Sequence, residues 1–341
     1  MSGPAPRISV VLAIYNAKAT IAKCLESLRD MNHSSFEIIA VDDGSDDGTL
    51  EILEQSPLVR VIRRDHGGPS RARNAGVAEA RGGIVAFTDS DCIVDPDWLT
   101  ELESCFTDIC VAGAGGDQKS PGDDSEAGKR FQEFMKCIGF ATGYIKTGAR
   151  VVDVEHNPSC NSAYRRAAFL EVGGFDEGMW PGEDVELDIK LKRRGYRLIF
   201  NPRAVVAHYR PSSLAGFARM MRRYGASQWS LVWKYGLFRP LHFVPPALLV
   251  LLAAFAWLAV IFPAAWILLP VICVCMIIFF TARTLDVQKS LYFTGLLIIT
   301  LFQWNWGFFM GFRYHPFPLE AERAGAESPS SVDSSGSERE R

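Results

Sequence analysis

No residue with a formal charge occurs between Arg239 and Arg283. A helix needs about 20 predominantly apolar residues to cross the hydrocarbon of a bilayer. This run is long enough for two, with a break near Pro263. A very apolar soluble core explains such a length poorly. A third apolar stretch, Ser290 to Phe312, contains the amides Gln303 and Asn305, which are expected to face other helices rather than lipid. Arg239 at one end, and Arg283 with Lys289 at the other, fit a hairpin with both ends cytoplasmic. A third span would then place the C-terminus outside. A shallow re-entrant arrangement is the alternative.

The segment before this run, Ser213 to Arg239, carries Arg219, Arg222, Arg223, Lys234 and Arg239 and no acid. Phe217, Met220, Tyr224, Trp229, Leu231 and Trp233 are interleaved. That is the pattern of a basic amphipathic helix on a membrane surface. A packed helix with a solvated basic face reads the same way in isolation, and the adjoining apolar run tips the balance.

Most of the charge lies upstream. The 341 residues carry a net charge of −3, which gives no global basic field for nucleic acid. Eight cysteines form no CxxC pair and no cluster with zinc spacing, so reduced thiols in a cytosol-facing domain are expected. The start, MSGPAPR, is short and polar and does not read as a signal peptide.

Ile8 to Ile14, Phe36 to Val41, Val59 to Arg63 and Ile84 to Thr88 are short apolar runs, as buried strands require. Helical patterns at Thr20 to Leu28 and Ser70 to Ala80 alternate with them, which predicts an α/β fold with a mainly parallel sheet. Asp95-Pro96 is expected to open a helix. Gly115 to Lys129 reads as a mobile loop, followed by a helix through Phe131, Phe134 and Ile138. Val151 to Val154, Leu198 to Phe200 and Ala204 to His208 read as strands. Glu183 to Arg194 reads as a helix stopped by Gly195.

Ligands bind beyond the carboxyl ends of strands in open α/β sheets, and polar clusters sit at those places. Tyr15-Asn16 closes the first strand. Asp42-Asp43, in VDDGSDDGT, closes the second; alone, such a segment is equally a turn. Asp89-Ser90-Asp91 follows Ile84 to Thr88. Two carboxylates at i and i+2 can approach one hard cation, and oxygen ligands with open positions suit Mg²⁺ or Mn²⁺ bound to phosphates. Trp180-Pro181-Gly182-Glu183-Asp184 opens a helix, where acids are favourable for dipole reasons alone. One of the two can also serve as a general base. His208 ends a strand and is a candidate third ligand or an ordinary structural histidine. Arg71 and Arg73, in HGGPSRARNAG, can hold a diphosphate through bidentate contacts or simply line a solvated helix face.

In this order, Val10 to Asn16, Cys24 to Leu28, VDDGSDDGT, GPSRARNAG, FTDSD, CNSAYRRAAFLEVGGFDE and PGEDVELDIKLKRRGY resemble the family 2 glycosyltransferases of GT-A fold. The resemblance covers about residues 7 to 210. It implies that Tyr15 and Asp42 or Asp43 contact the nucleotide base and that Arg73 lies near the base or phosphates. It implies Asp89 on the ribose, Asp91 on the metal with His208 as a further ligand, and Asp184 as catalytic base with Glu183 beside it. Transfer would invert the anomeric carbon. Arg222-Arg223-Tyr224-Gly225 departs from the QxxRW pattern of processive synthases, which argues against a polymerase.

The expected organisation is a catalytic domain over 1–212, an interfacial helix over 213–239, a membrane region of about three helices over 240–313 and a disordered tail over 314–341. The expected partners are a nucleotide-sugar, by default UDP-linked, a lipid-linked or glycan acceptor, and membrane lipid. The expected location is the cell inner (plasma) membrane, multi-pass, with the catalytic domain cytoplasmic. Two other classes stand against this reading. A nucleotidyltransferase would need a glycine-rich basic loop after the first strand, and Tyr15-Asn16-Ala17-Lys18 offers none. A non-catalytic scaffold would have no use for Asp89, Asp91 and Asp184 together.

Overall fold

The computed structural model describes residues 6–139 and 150–313. The first residues and the expected polar tail over 314–341 lie outside that range. Strands β1 (Ile8–Ile14), β2 (Phe36–Asp42), β3 (Arg60–Arg63) and β4 (Ile84–Asp89) pair in parallel in the order β3-β2-β1-β4. Helices α1 (Ile21–Arg29), α2 (Thr49–Glu54) and α3 (Pro69–Ala78) make the crossovers. Val10, Leu12 and Ile14 of β1 pack into one core with Ile21, Leu25 and Trp98. Val11 packs into a second core with Val41, Phe87 and Leu187 on the opposite face. Both faces are covered, so a central strand here must be apolar at every position.

The sheet then turns mixed. β5 (Cys92–Val94), α4 (Trp98–Glu103), β6 (Val111–Lys119), α5 (Glu126–Ile138), β7 (Val152–Asp153), β8 (Asn161–Arg165), α6 (Arg166–Glu171), α7 (Glu183–Arg193) and β9 (Arg197–His208) follow in the chain. The path continues β4-β8-β6-β9-β5. β8 runs antiparallel to β4 and β6, and β9 runs parallel to β6 and antiparallel to β5.

Three expectations are corrected. Gly115 to Lys129 is a loop only in its middle: Gly115 to Lys119 end β6, Ser120 to Ser125 form a turn, and Glu126 to Lys129 start α5. At Gly116 a Cβ would lie 1.8 Å from the Ala204 carbonyl oxygen, so glycine there permits a close strand pair. Leu198 to Phe200 and Ala204 to His208 are one strand, β9. Asp95-Pro96 does not open α4, which begins at Trp98. The Asp95 carboxylate instead accepts the Asp97 N–H at 3.2 Å, and its carbonyl accepts the Trp98 N–H at 2.9 Å, closing a turn ahead of the helix.

The C-terminal part is helical. α8 (Leu214–Tyr235) starts at Ser213, whose hydroxyl accepts the Gly216 N–H at 3.1 Å, a standard N-cap. α9 (Val244–Ile261), α10 (Leu268–Thr284) and α11 (Val287–Met310) follow. With their flanking turns, the segments Pro240–Ile261, Pro263–Thr284 and Val287–Arg313 are each long and apolar enough to cross a membrane.

Candidate active site

The parallel register brings the predicted groups to one edge. Ile14 lies beside Asp42, and Ala13 lies beside Asp89. Tyr15 follows directly, half-exposed, and its ring stacks on His66 with centroids 4.1 Å apart. The two acids after β2 take different jobs. Asp43 is buried and accepts the N–H groups of Gly67 and Gly68 at 3.0 and 2.8 Å, with His66 Nδ1 at 3.0 Å. Its carboxylate anchors the loop ahead of α3. Asp42 is also buried, takes the Ser45 N–H at 3.3 Å through one oxygen, and leaves the other without a partner among the described residues. Arg71 lies apart from both, lining a cavity of about 420 Å³ with Arg63, Arg64 and Asp65 at the end of β3.

Arg73 is at the centre of the site. Its guanidinium donates to Asp89 and to Glu183, each at 2.8 Å, and both Arg73 and Glu183 are almost wholly buried. Glu183 accepts the Gly182 N–H at 3.0 Å through its other oxygen. Burial pushes the Glu183 carboxyl up to about 7, reinforced by Asp184 and opposed by Arg73. Burial alone would lower Arg73, but Asp89 and Glu183 raise it. Arg73 therefore ties the strand end that carries Asp89 and Asp91 to the helix start that carries Asp184.

Asp91 and His208 meet across the β5–β9 ladder, with His208 Nε2 3.3 Å from the Asp91 carboxylate. Burial works against both charges, yet each stabilises the other. Asp91 is held below the usual carboxylate range, and His208 is pushed up to about 10. Donor atoms of Asp91, Cys92 and His208 all lie within 4.8 Å of one another. That spacing suits one divalent cation: two ligand atoms at about 2.1 Å from a metal sit roughly 3 Å apart. His208 Nδ1 is buried with no hydrogen-bond partner among the described residues. Asp89 commits an oxygen to Arg73, so Asp91 and His208 are the pair with open valence.

At the start of α7 the Asp184 carboxylate accepts the Val185 N–H at 2.8 Å and the Ser159 N–H at 3.2 Å. His156 stands behind it, with Nε2 3.8 Å from Asp184 and Nδ1 2.9 Å from Asp188. Asp188 is fully buried and also accepts the Asn157 N–H at 2.7 Å and the Tyr164 hydroxyl at 2.9 Å. Burial opposes the His156 charge, but the two carboxylates prevail and its pKa is raised. Trp180 lies just ahead, with the Arg223 guanidinium 5.3 Å over its ring. Sequence reasoning missed Cys92, His156 and Asp188. Asp188 is four residues after Asp184 on α7, a spacing that puts both on one helix face. Nothing local marks His156.

Residues 9–173 match the family model described as glycosyl transferase family 2. The chain is 31% identical over 230 residues to a pre-mycofactocin glycosyltransferase of Mycobacterium tuberculosis, a match covering 66% of this chain and 48% of that protein. It is 28% identical over 216 residues to glycosyltransferase AglE of Haloferax volcanii, covering 61% and 68%. The chain thus spans about half the length of the mycobacterial relative. A mannosyltransferase of Pyrobaculum calidifontis, solved in complex with GDP-Man and Mn²⁺, superimposes with a TM-score of 0.62 at 20% identity, covering 89% of this chain and 88% of that one. The superposition identifies the fold as GT-A type. The family match takes in β1 through α6, and with them every strand-end acid from Asp42 to Asp91, so residues 9–173 form a glycosyl transferase family 2 region.

Proposed function

We propose that this chain transfers a sugar from a nucleotide-sugar to a hydroxyl of a lipid-linked or glycan acceptor, inverting the anomeric carbon, at the cytosolic face of a membrane. Residues 1–212 form the catalytic domain in this reading, 213–239 the interfacial helix and 240–313 the membrane region. The observation that carries it is the Arg73 bridge. One buried guanidinium fixes a metal-type pair, Asp91 and His208, relative to a carboxylate at a helix start, Asp184. Tyr15 and the free oxygen of Asp42 face the base of the nucleotide, and Asp89 faces its ribose. Asp91 and His208 would hold Mg²⁺ or Mn²⁺, which would supply the charge that neutralises a departing diphosphate. Asp184 takes the proton of the acceptor hydroxyl as the new bond forms. With Asp89 and Glu183 both tied to Arg73, Asp184 acts as base and the transfer is a single displacement.

The test is calorimetric titration of the detergent-purified chain with UDP and with GDP, each with and without Mn²⁺. Binding of one nucleotide that requires the metal, and that is lost in Asp91→Asn, is the expected result. Binding indifferent to metal for both would overturn the reading. A donor screen against polyprenyl-linked acceptors then names the sugar.

A further inference from the structure

Three helices are long enough to cross a bilayer, but they do not share one environment. About 11% of the apolar window is buried in each of α9 and α10, against 39% in α11. The difference comes from α8. Gly225 and Gly307 bring α8 and α11 into backbone contact: a Cβ at Gly225 would lie 1.9 Å from the Trp304 carbonyl oxygen, and one at Gly307 1.9 Å from that of Arg222. The two helices run the same way. Phe217 and Phe293 both pack on Phe134 at the near end, and Trp229 packs on Phe308 and Gly311 at the far end. Over the same length α8 lies along the catalytic domain, from Phe131 on α5 to Glu186 on α7, where Lys234 and Tyr235 bond at 2.8 and 2.7 Å.

α11 is therefore flanked along its length by elements that belong in water. Lys289 pairs with Glu133 of α5 at 2.8 Å, and Gln303 accepts from Arg222 of α8 at 2.8 Å. These two anchor points are 14 residues apart, about 21 Å of helix, less than the roughly 30 Å of a hydrocarbon core. A crossing α11 would drag α8 and the charged flank of the catalytic domain into the bilayer with it. Its outward face suits a different placement. Leu291, Ile298, Phe302, Trp306 and Phe309 are exposed, at spacings of 7, 4, 4 and 3 that form one apolar stripe. α9 and α10 start and finish at this same layer. Pro245 faces Asn305 and Phe309 across a groove of about 300 Å³, and the Phe280 ring lies 5.7 Å from Phe293.

We propose that α11 is not a crossing helix. It lies in the membrane surface alongside α8, its stripe in the acyl layer and the exposed arginines of α8 among anionic headgroups. Only the α9–α10 pair enters the hydrocarbon, as a hairpin that returns to the side it left. The C-terminus then lies on the catalytic side, contrary to the three-span expectation. This rests on the membrane part of the proposed function and is independent of sugar transfer.

The test fuses green fluorescent protein, or alkaline phosphatase, to Arg341 of the full chain in bacterial cells. Metal-dependent nucleotide binding by each solubilised fusion confirms that the chain is folded. Fluorescent membranes with a silent phosphatase are expected. An active phosphatase with a dark fluorescent fusion would overturn the proposal, whatever the enzyme's activity.

Discussion

The two walls of the candidate site use the same residue types in opposite ways. On one wall the acids are spent. Glu183 and Asp89 are bound to Arg73, and Asp43 to the amides of Gly67 and Gly68. On the other wall Asp91 and Asp184 keep an exposed side and are backed by histidines, His208 at 3.3 Å and His156 at 3.8 Å. Each spent acid has an open neighbour one or two residues along the chain. The difference teaches that a paired-acid motif in this fold is half scaffold and half chemistry. Glu183 and Asp43, buried with both oxygens bonded, hold geometry, while Asp89, bound to Arg73 through one oxygen, stands with Asp91 and Asp184 on the ligand side.

The largest effect expected from that contrast is at the helix start. Asp184→Asn removes the proton acceptor and should lower kcat by about 10²- to 10⁴-fold, with metal-dependent nucleotide binding intact by calorimetry. Glu183→Gln keeps a group that can hydrogen-bond in the same buried place, and it replaces a carboxyl already pushed up to about 7. Its turnover should stay within a few-fold of the parent at neutral pH. Equal losses in the two variants would erase the distinction between the walls.

The scaffold wall should show itself in stability. Arg73→Ala leaves Asp89 and Glu183 without their shared cation. Breaking a buried pair by removing one partner costs about 3–5 kcal/mol, so thermal unfolding should begin at a clearly lower temperature. Arg71, two residues away, lines an open cavity, and Arg71→Ala should unfold with the parent. If Arg73→Ala unfolds normally and loses only nucleotide affinity, Arg73 is a ligand group rather than a brace.

How much of this was legible in the sequence follows from the same division. Buried parallel strands must be apolar on both faces, so β1, β2 and β4 were readable, and their ends located the acids. Which acid was open was not readable. Asp42 and Asp43 have identical side chains, and only the approach of Gly67 and Gly68 separates them. The glycines of β6 looked like a loop because one sequence cannot show the strand that presses on Gly116. Hydropathy found α11 but could not find α8 beside it. His156 was missed because Asp188 and Asp184 reach it through the fold, from 32 and 28 residues further along the chain.

The smallest expected effect concerns that histidine. His156 is held between Asp188 and Asp184, and its raised pKa keeps it protonated at pH values where free imidazole is neutral. The ring Nε2 lies 3.8 Å from the Asp184 carboxylate. Arg239 acts on the same ring in the opposite sense, and the Tyr164 hydroxyl and Asn157 N–H occupy the far side of Asp188. In His156→Gln the charge is gone while a side-chain amide remains. The cation between Asp184 and Asp188 is then lost, and turnover at neutral pH should fall by a few-fold. The parent's advantage should fade as pH rises through the raised pKa of His156 and its ring loses its charge. A uniform loss at every pH would mean that His156 only shapes the turn ahead of Ser159, and the contrast would then rest on Asp91 with His208 alone.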